Sequence, residues 1–196
     1  MVSWVCLVAF AGGAIVQRLT ESTPGEILGY APSAARATAW LAAGPIALAA
    51  AHRRAATDEA EGVDAFAATF GVARSPMDLG RGAAAMLACT RAIAIPSLGT
   101  ALLATALAGT PRLALESAGL LPAIAAFSIV SGVCLGAAAT LADRLSPERG
   151  RSTLAAMVLL PWLLADAAGW HGASLPGALE AFLRTALGVV GLEHVA

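Results

Sequence analysis

The sequence predicts an all-α, polytopic integral membrane protein of five to six transmembrane helices, folded as a single transmembrane domain over residues 1–196. Hydrophobic residues make up 58% of the chain and charged ones only 13%, with a mean hydropathy of +0.76. A soluble domain keeps roughly a quarter of its residues charged, because its exposed faces need hydration; a lipid-facing surface has no such need. Apolar stretches close to the ~20 residues of a bilayer crossing recur along the chain, divided by short polar or Gly/Pro-rich joints. One segment breaks the pattern: residues 56–81, ATDEAEGVDAFAATFGVARSPMDLGR, form the longest charged island.

The first expected span is residues 1–17, MVSWVCLVAFAGGAIVQ, up to Arg18. No basic residue precedes its apolar core and no clear small-x-small cleavage site follows, so it reads as a retained span and not as a signal peptide. The second, residues 31–51, ends at His52-Arg53-Arg54; Arg36 is expected to snorkel outward and Pro45 to kink the helix. The third covers residues 86–108, with Arg91 near its start and Pro96 inside. Residues 120–142, LLPAIAAFSIVSGVCLGAAATLA, form the most uniformly apolar span, and residues 152–170 supply a fifth, with Pro161 in its middle and Asp166 toward one end. The C-terminal stretch, residues 175–196, reads as an external or interfacial helix or as a final span. There Leu179, Phe182, Leu183, Ala186, Leu187 and Val190 make one helical stripe, with Glu180 and Arg184 at i,i+4 elsewhere.

Arginine placement sets the orientation. Arg53, Arg54, Arg74 and Arg81 surround the island, and Arg144, Arg149 and Arg151 occupy the loop two spans later, which puts both loops and the N-terminus on the cytoplasmic side. Arg18, Arg36 and Arg112 fall on the other side. All 12 basic residues are arginines and the net charge is −1, so no basic footprint for nucleic acid is present.

Within the island, Thr57 is expected to cap a cytoplasmic amphipathic helix over residues 57–71, whose first turns carry Asp58, Glu59 and Glu61 near the positive end of the helix dipole. Val63, Phe66 and Phe70 fall at i, i+3 and i+7 as an apolar stripe, and Gly71 supplies a left-handed stop. Ser75 then reads as the cap of a second helix, with Pro76 at its first position and Asp78 as the capping-box acid, continuing into the third span. Helices that bind lipid surfaces present Lys or Arg to anionic headgroups, whereas Asp58, Glu59, Glu61 and Asp64 make this face acidic. An acidic face beside an apolar stripe suits a protein partner.

At these residues the chain resembles the permease subunits of type 2 ABC exporters, whose first cytoplasmic loop carries a coupling helix between the second and third spans. Glu59 and Glu61 precede Gly62, the stripe Val63, Phe66 and Phe70 follows, Arg74-Ser75 forms the turn, and Gly80-Arg81 stands where that family has Gly-Lys. The segment LPGALEAF, residues 175–182, is similar to the Leu-Pro start of the family's short external helices. The departures are Pro76 after the turn instead of a Pro before it, Arg81 for Lys, no amphipathic helix ahead of the first span, and no Asn-Pro after the external helix. The resemblance implies a chain in the bacterial inner membrane that is not itself an enzyme and binds no cofactor. ATP is then bound by a separate ABC ATPase subunit that docks on Glu59, Glu61, Gly62, Val63, Phe66, Phe70 and Arg74, and a second permease subunit completes a homodimer or heterodimer. The sequence contains no G-x-x-x-x-G-K-[ST] phosphate loop, in keeping with that division of labour. A non-transporting membrane scaffold that recruits another cytoplasmic partner is the competing expectation.

Ser128, Gly132, Gly136 and Thr140 recur at intervals of four and make a small-residue face containing a G-x-x-x-G, expected to pack closely against another helix, either within the subunit or across a dimer. Cys6, Cys89 and Cys134 lie in apolar runs and read as buried hydrophobes, and His52, His171 and His194 lack zinc-ligand spacing. Arg91 and Asp166 are the ionisable residues placed within expected spans. No paired-acid, Ser–His or Ser–Lys constellation for intramembrane catalysis is legible.

Overall fold

The computed structural model describes residues 24–71, 73–107, 118–146 and 149–192, with positions 12, 13, 15, 111, 114 and 115 besides. Apart from positions 12, 13 and 15, the expected first span lies outside the described residues, as do Cys6 and His194. Helices, joined by turns, run through all four stretches, and no strand occurs among the described residues. Helix α1, Pro24–Thr38, passes through a π-helical turn, Ala39–Ala43, into α2, Gly44–Ala60. Then come the short α3, Val63–Thr69, the long α4, Arg74–Leu107, and α5, Leu120–Leu145. Helix α6, Gly150–Ala167, a 3-10 turn at His171–Ala173, and α7, Leu175–Val189, complete the bundle.

The bend between α1 and α2, 44° across the break, has a local cause. Pro45 sits in the first turn of α2, lacks an amide hydrogen and crowds the carbonyl four residues back, so the ladder opens into the wider π turn just before it. Helix α5 lies at the centre. Its buried positions, Leu120, Ala123, Ile124, Phe127, Ser128, Ser131, Gly132, Leu135, Gly136, Ala139 and Ala142, repeat every three or four residues, while Ile129, Val133 and Leu141 face outward. The core around it is rich in alanine, with Phe127, Ile93, Leu120, Ile124, Leu183 and Leu187 as its largest fully buried side chains. Helix α7 turns Leu179, Leu183 and Leu187 into that core, with Phe182, Ala186 and Val190 partly buried beside them. Ser174 caps α7 by accepting a hydrogen bond from the Gly177 amide at 3.2 Å.

Helices α4 and α5 run antiparallel at close range. A methyl group on Gly136 would lie 2.5 Å from the Met86 Cα, and one on Gly132 would lie 2.5 Å from the Thr90 Cα, so only hydrogen fits at either point. Gly82 faces Thr140 farther along, and the Ser97 and Ser128 hydroxyls approach to 3.4 Å at the other end of the seam. The small-residue face of α5 is thus occupied by α4 of the same chain, the within-subunit arrangement. All but one of the buried hydroxyls on α1, α4 and α5 are satisfied inside their own helices: Thr100 donates to the Pro96 carbonyl at 2.7 Å, Ser128 to Ile124 at 2.7 Å, Thr38 to Ala34 at 2.7 Å, and Ser97 to Ile93, whereas the Ser131 hydroxyl has no partner among the described residues. This arrangement leaves few polar atoms seeking water, as an apolar surrounding demands.

Among the described residues two helices are long and apolar enough to cross a membrane, Ser75–Leu107 and Leu120–Leu145, or three if the bent pair Leu28–Leu41 with Gly44–Ala60 counts as one span. That is consistent with an integral membrane protein and is fewer than the five to six spans expected. Helix α6 has 18 residues, but Arg151 and Asp166 fall inside them and shorten its apolar stretch. Helix α7, at 15 residues, extends only about 22 Å against a hydrocarbon core of ~30 Å.

Candidate functional site

The island occupies one end of the bundle, between α2 and α4, and its helix boundaries differ from those expected. Helix α2 does not stop before Thr57; it continues through Asp58 and Glu59 to Ala60, and the chain reverses at Glu61 and Gly62. The run AHRRAATDEA is rich in alanine and other good helix formers, so the helix propagates past a potential cap until Gly62, which alone in that stretch takes φ +66 without strain. Thr57 therefore lies inside α2 and not at a helix start, and the helix expected over residues 57–71 is two pieces, the end of α2 and the seven-residue α3. Gly71 stands at φ +71, the conformation its role as a helix stop requires. Ser75 and Pro76 lie inside the first turn of α4 as its second and third residues, so Ser75 stands two positions past the cap, and the helix runs unbroken from there through the third expected span.

Arg81 organises this end. Its guanidinium donates to Asp58 at 2.8 Å, to Asp64 at 2.6 Å and to Asp78 at 3.3 Å, drawing α2, α3 and α4 together. The Arg81 side chain is only 13% exposed, so these bonds form largely out of water, where charge-assisted contacts are strongest. Asp78 also meets Arg144 at 3.2 Å, and His52 Nδ1 meets Asp143 at 3.2 Å, which ties in the end of α5. Asp58, near the negative end of the α2 dipole, is an unfavourable placement that Arg81 offsets. Asp58 and Asp64 were expected to face a partner; they turn inward instead, and the acids left exposed are Glu59 and Glu61.

Helix α3 has no buried residue. Phe66 and Phe70 are 66% and 70% exposed, with ring centroids 4.8 Å apart and tilted at 54°, so they form a paired aromatic knob on a helix pinned by Arg81. Val63 is partly buried, Gly62 makes the turn, and Arg74 opens α4. The structure thus places Glu59, Glu61, Gly62, Val63, Phe66 and Phe70 on one short reversal at the bundle end. Sequence reading missed Arg81 as its keystone, because its partners lie 17 and 23 residues away; only the Asp78–Arg81 spacing, at i,i+3, was a local signal.

At the opposite end, Arg36 does not snorkel outward. It forms a two-pronged ion pair with Glu180, both contacts 2.9 Å, and Arg184 joins at 3.3 Å, so α1 and α7 are clamped there. Arg91 and Asp166 are exposed on α4 and α6. Cys89 is buried with its sulfur 3.4 Å from the Ala43 carbonyl, and Cys134 is a free, partly buried thiol. Among the described residues no group of three or more His, Cys, Asp or Glu is arranged to hold a metal ion.

Comparison of the chain with protein-family models, curated proteins and solved structures yields no match.

Proposed function

We propose that this chain is the membrane-spanning permease subunit of an ATP-driven ABC exporter, and that α3 is its coupling helix, seated in a groove of a separate ATPase subunit. The observation that carries this reading is the Phe66–Phe70 knob, held rigid by Arg81 at the end of a membrane-length helix. Two large apolar rings exposed at a polar end are costly unless something covers them; burial contributes roughly 1.5–3 kcal/mol each. Glu59 and Glu61, exposed beside the knob, are the charge partners for basic residues of the ATPase. Gly62, Val63 and Arg74 shape and flank the helix instead of anchoring the contact. ATP is bound by the partner, a second permease subunit completes the pathway, and the assembly resides in the bacterial inner membrane with the island on the cytoplasmic face.

Co-expression with an ATPase encoded beside this chain tests the reading. The wild-type pair is expected to co-purify from detergent, and Phe66→Asp is expected to weaken docking by at least ~2 kcal/mol, about thirtyfold, without loss of membrane insertion. Glu61→Arg is expected to weaken it less. A Phe66→Asp chain that still assembles with the ATPase and still transports would overturn the coupling assignment. A partner that docks on Phe66 and Phe70 but has no nucleotidase activity would favour the scaffold alternative.

A further inference from the structure

A groove of about 930 Å³ runs along the outside of the bundle between α2 and α6, over the floor formed by α5. Its walls are apolar over most of their length: Trp40 and Leu48 on one side, Leu154 and Val158 on the other, with Leu135 beneath. Its rim is open to the surroundings, since Pro45, Ala49, Ala155 and Leu159 are exposed. At the island end the character changes. Arg149, Arg151 and Ser152 stand on one side of the mouth, with His52 and Asp143 paired to each other at 3.2 Å on the other. Among the described residues neither Arg149 nor Arg151 has an ion-pair partner, and both are exposed. Helix α6 begins at this mouth, and its N-cap residue, Arg149, makes no side-chain capping bond, so the helix start adds partial positive charge to the two guanidinium groups.

The dimensions match one class of molecule. Trp40 to His52 spans 12 helical steps, about 18 Å, and Arg149 to Leu159 spans 10 steps, about 15 Å. One leaflet of a bilayer has a hydrocarbon depth of about 15 Å with the headgroup phosphates immediately beyond. An acyl chain laid against Trp40, Leu48, Leu154 and Val158 would bring its own phosphate level with Arg149 and Arg151.

We propose that this groove is a binding site for one anionic glycerophospholipid of the leaflet on the island side, its acyl chain along the apolar walls and its headgroup phosphate held by Arg149 and Arg151. The proposal rests on the reading of the chain as membrane-embedded, and is independent of any ATPase. A zwitterionic lipid fills the apolar walls equally well but brings a compensating ammonium group to two unneutralised arginines, so selectivity resides at the mouth.

Native mass spectrometry of the purified chain in detergent, with no partner present, tests this. The titrant is palmitoyl-oleoyl phosphatidylglycerol, against phosphatidylcholine with the same acyl chains. One phosphatidylglycerol is expected to bind tightly, and the Arg149→Gln/Arg151→Gln chain to bind it about thirtyfold more weakly, near fivefold for each arginine. Ala155→Trp, which fills the groove from its exposed rim and keeps both arginines, is expected to abolish the one-lipid species. Circular dichroism confirms that both variant chains keep their helices. Equal affinity for the two lipids, or an unchanged affinity in both variants, overturns the proposal. So does displacement of the lipid by inorganic phosphate at millimolar concentration, which would make the mouth a plain anion site. A dimer that dissociates in the Ala155→Trp chain would hand the groove to a second copy, and equally overturns it. Because no ATPase is in the sample, a failure of the docking reading leaves these outcomes untouched.

Discussion

Replacing Arg81 with glutamine should loosen α3 while leaving the bundle folded. Helix α3 buries no side chain, so its anchorage comes from polar contacts, among them the Arg81–Asp64 ion pair at 2.6 Å. A charge-assisted hydrogen bond contributes about 1.5–3 kcal/mol when sheltered. Asp64 is 32% exposed, which lowers the figure to about 1–2 kcal/mol after solvent screening. Losing it should raise the population of undocked α3 by roughly five- to thirtyfold, and hydrogen–deuterium exchange across residues 63–70 should accelerate by that factor. The central part of α5, residues 128–136, should keep its wild-type protection, because its burial does not depend on the island. Arg81→Lys should fall between, since one ammonium cannot bridge three carboxylates on different elements in the manner of a planar fork. Exchange across residues 63–70 that stays within twofold of wild type in the Arg81→Gln chain would show that α3 is held by something other than this ion cluster.

Two further perturbations probe the bundle. Alanine at Gly136 places a methyl 2.5 Å from the Met86 Cα, where the obstacle is backbone and cannot rotate away; alanine at Gly80 meets nothing within 4 Å. Both gain up to ~1 kcal/mol of helix propensity, but overpacking of about 1–3 kcal/mol leaves Gly136→Ala destabilised in denaturing-detergent titrations and Gly80→Ala neutral or stabilised. If the two variants shift the midpoint alike, the close approach of α4 and α5 is wrong. At the far end, a double-mutant cycle with Arg36→Ala and Glu180→Ala should give a coupling of about 1–2 kcal/mol, because the pair is two-pronged and each side chain is about three-quarters buried. A coupling below about 0.3 kcal/mol would mean that the clamp does not hold α1 to α7.

What the sequence discloses here is mostly periodic. The inward face of α5 follows from its three-and-four spacing, its glycines from the G-x-x-x-G, and the leucine stripe of α7 from its amphipathic pattern, because each signal is complete within one helix. The fold departs from expectation where two local preferences compete or where partners lie far apart in the chain. Thr57 is a good cap residue, yet the alanine-rich run around it prolongs α2 to the next glycine, and no local rule decides that contest in advance. Arg36 and Glu180 are separated by 144 positions, and Arg81 meets two of its acids across a reversal. Periodicity within a helix says nothing of such pairs. The groove between α2 and α6 is invisible for the same reason, since its walls come from two helices and its floor from a third.

Helix α4 is 34 residues long, about 51 Å end to end, which exceeds the ~30 Å of hydrocarbon by about 20 Å. Its surplus lies toward the polar start, where Arg81 fastens it to the reversal carrying the aromatic knob. Such a rod acts as a lever: carried past Pro96, the one proline in its interior, a tilt of about ten degrees displaces one tip by about 9 Å relative to the other. A push on Phe66 and Phe70 would therefore arrive at the far end of the helix as sideways travel of Leu107.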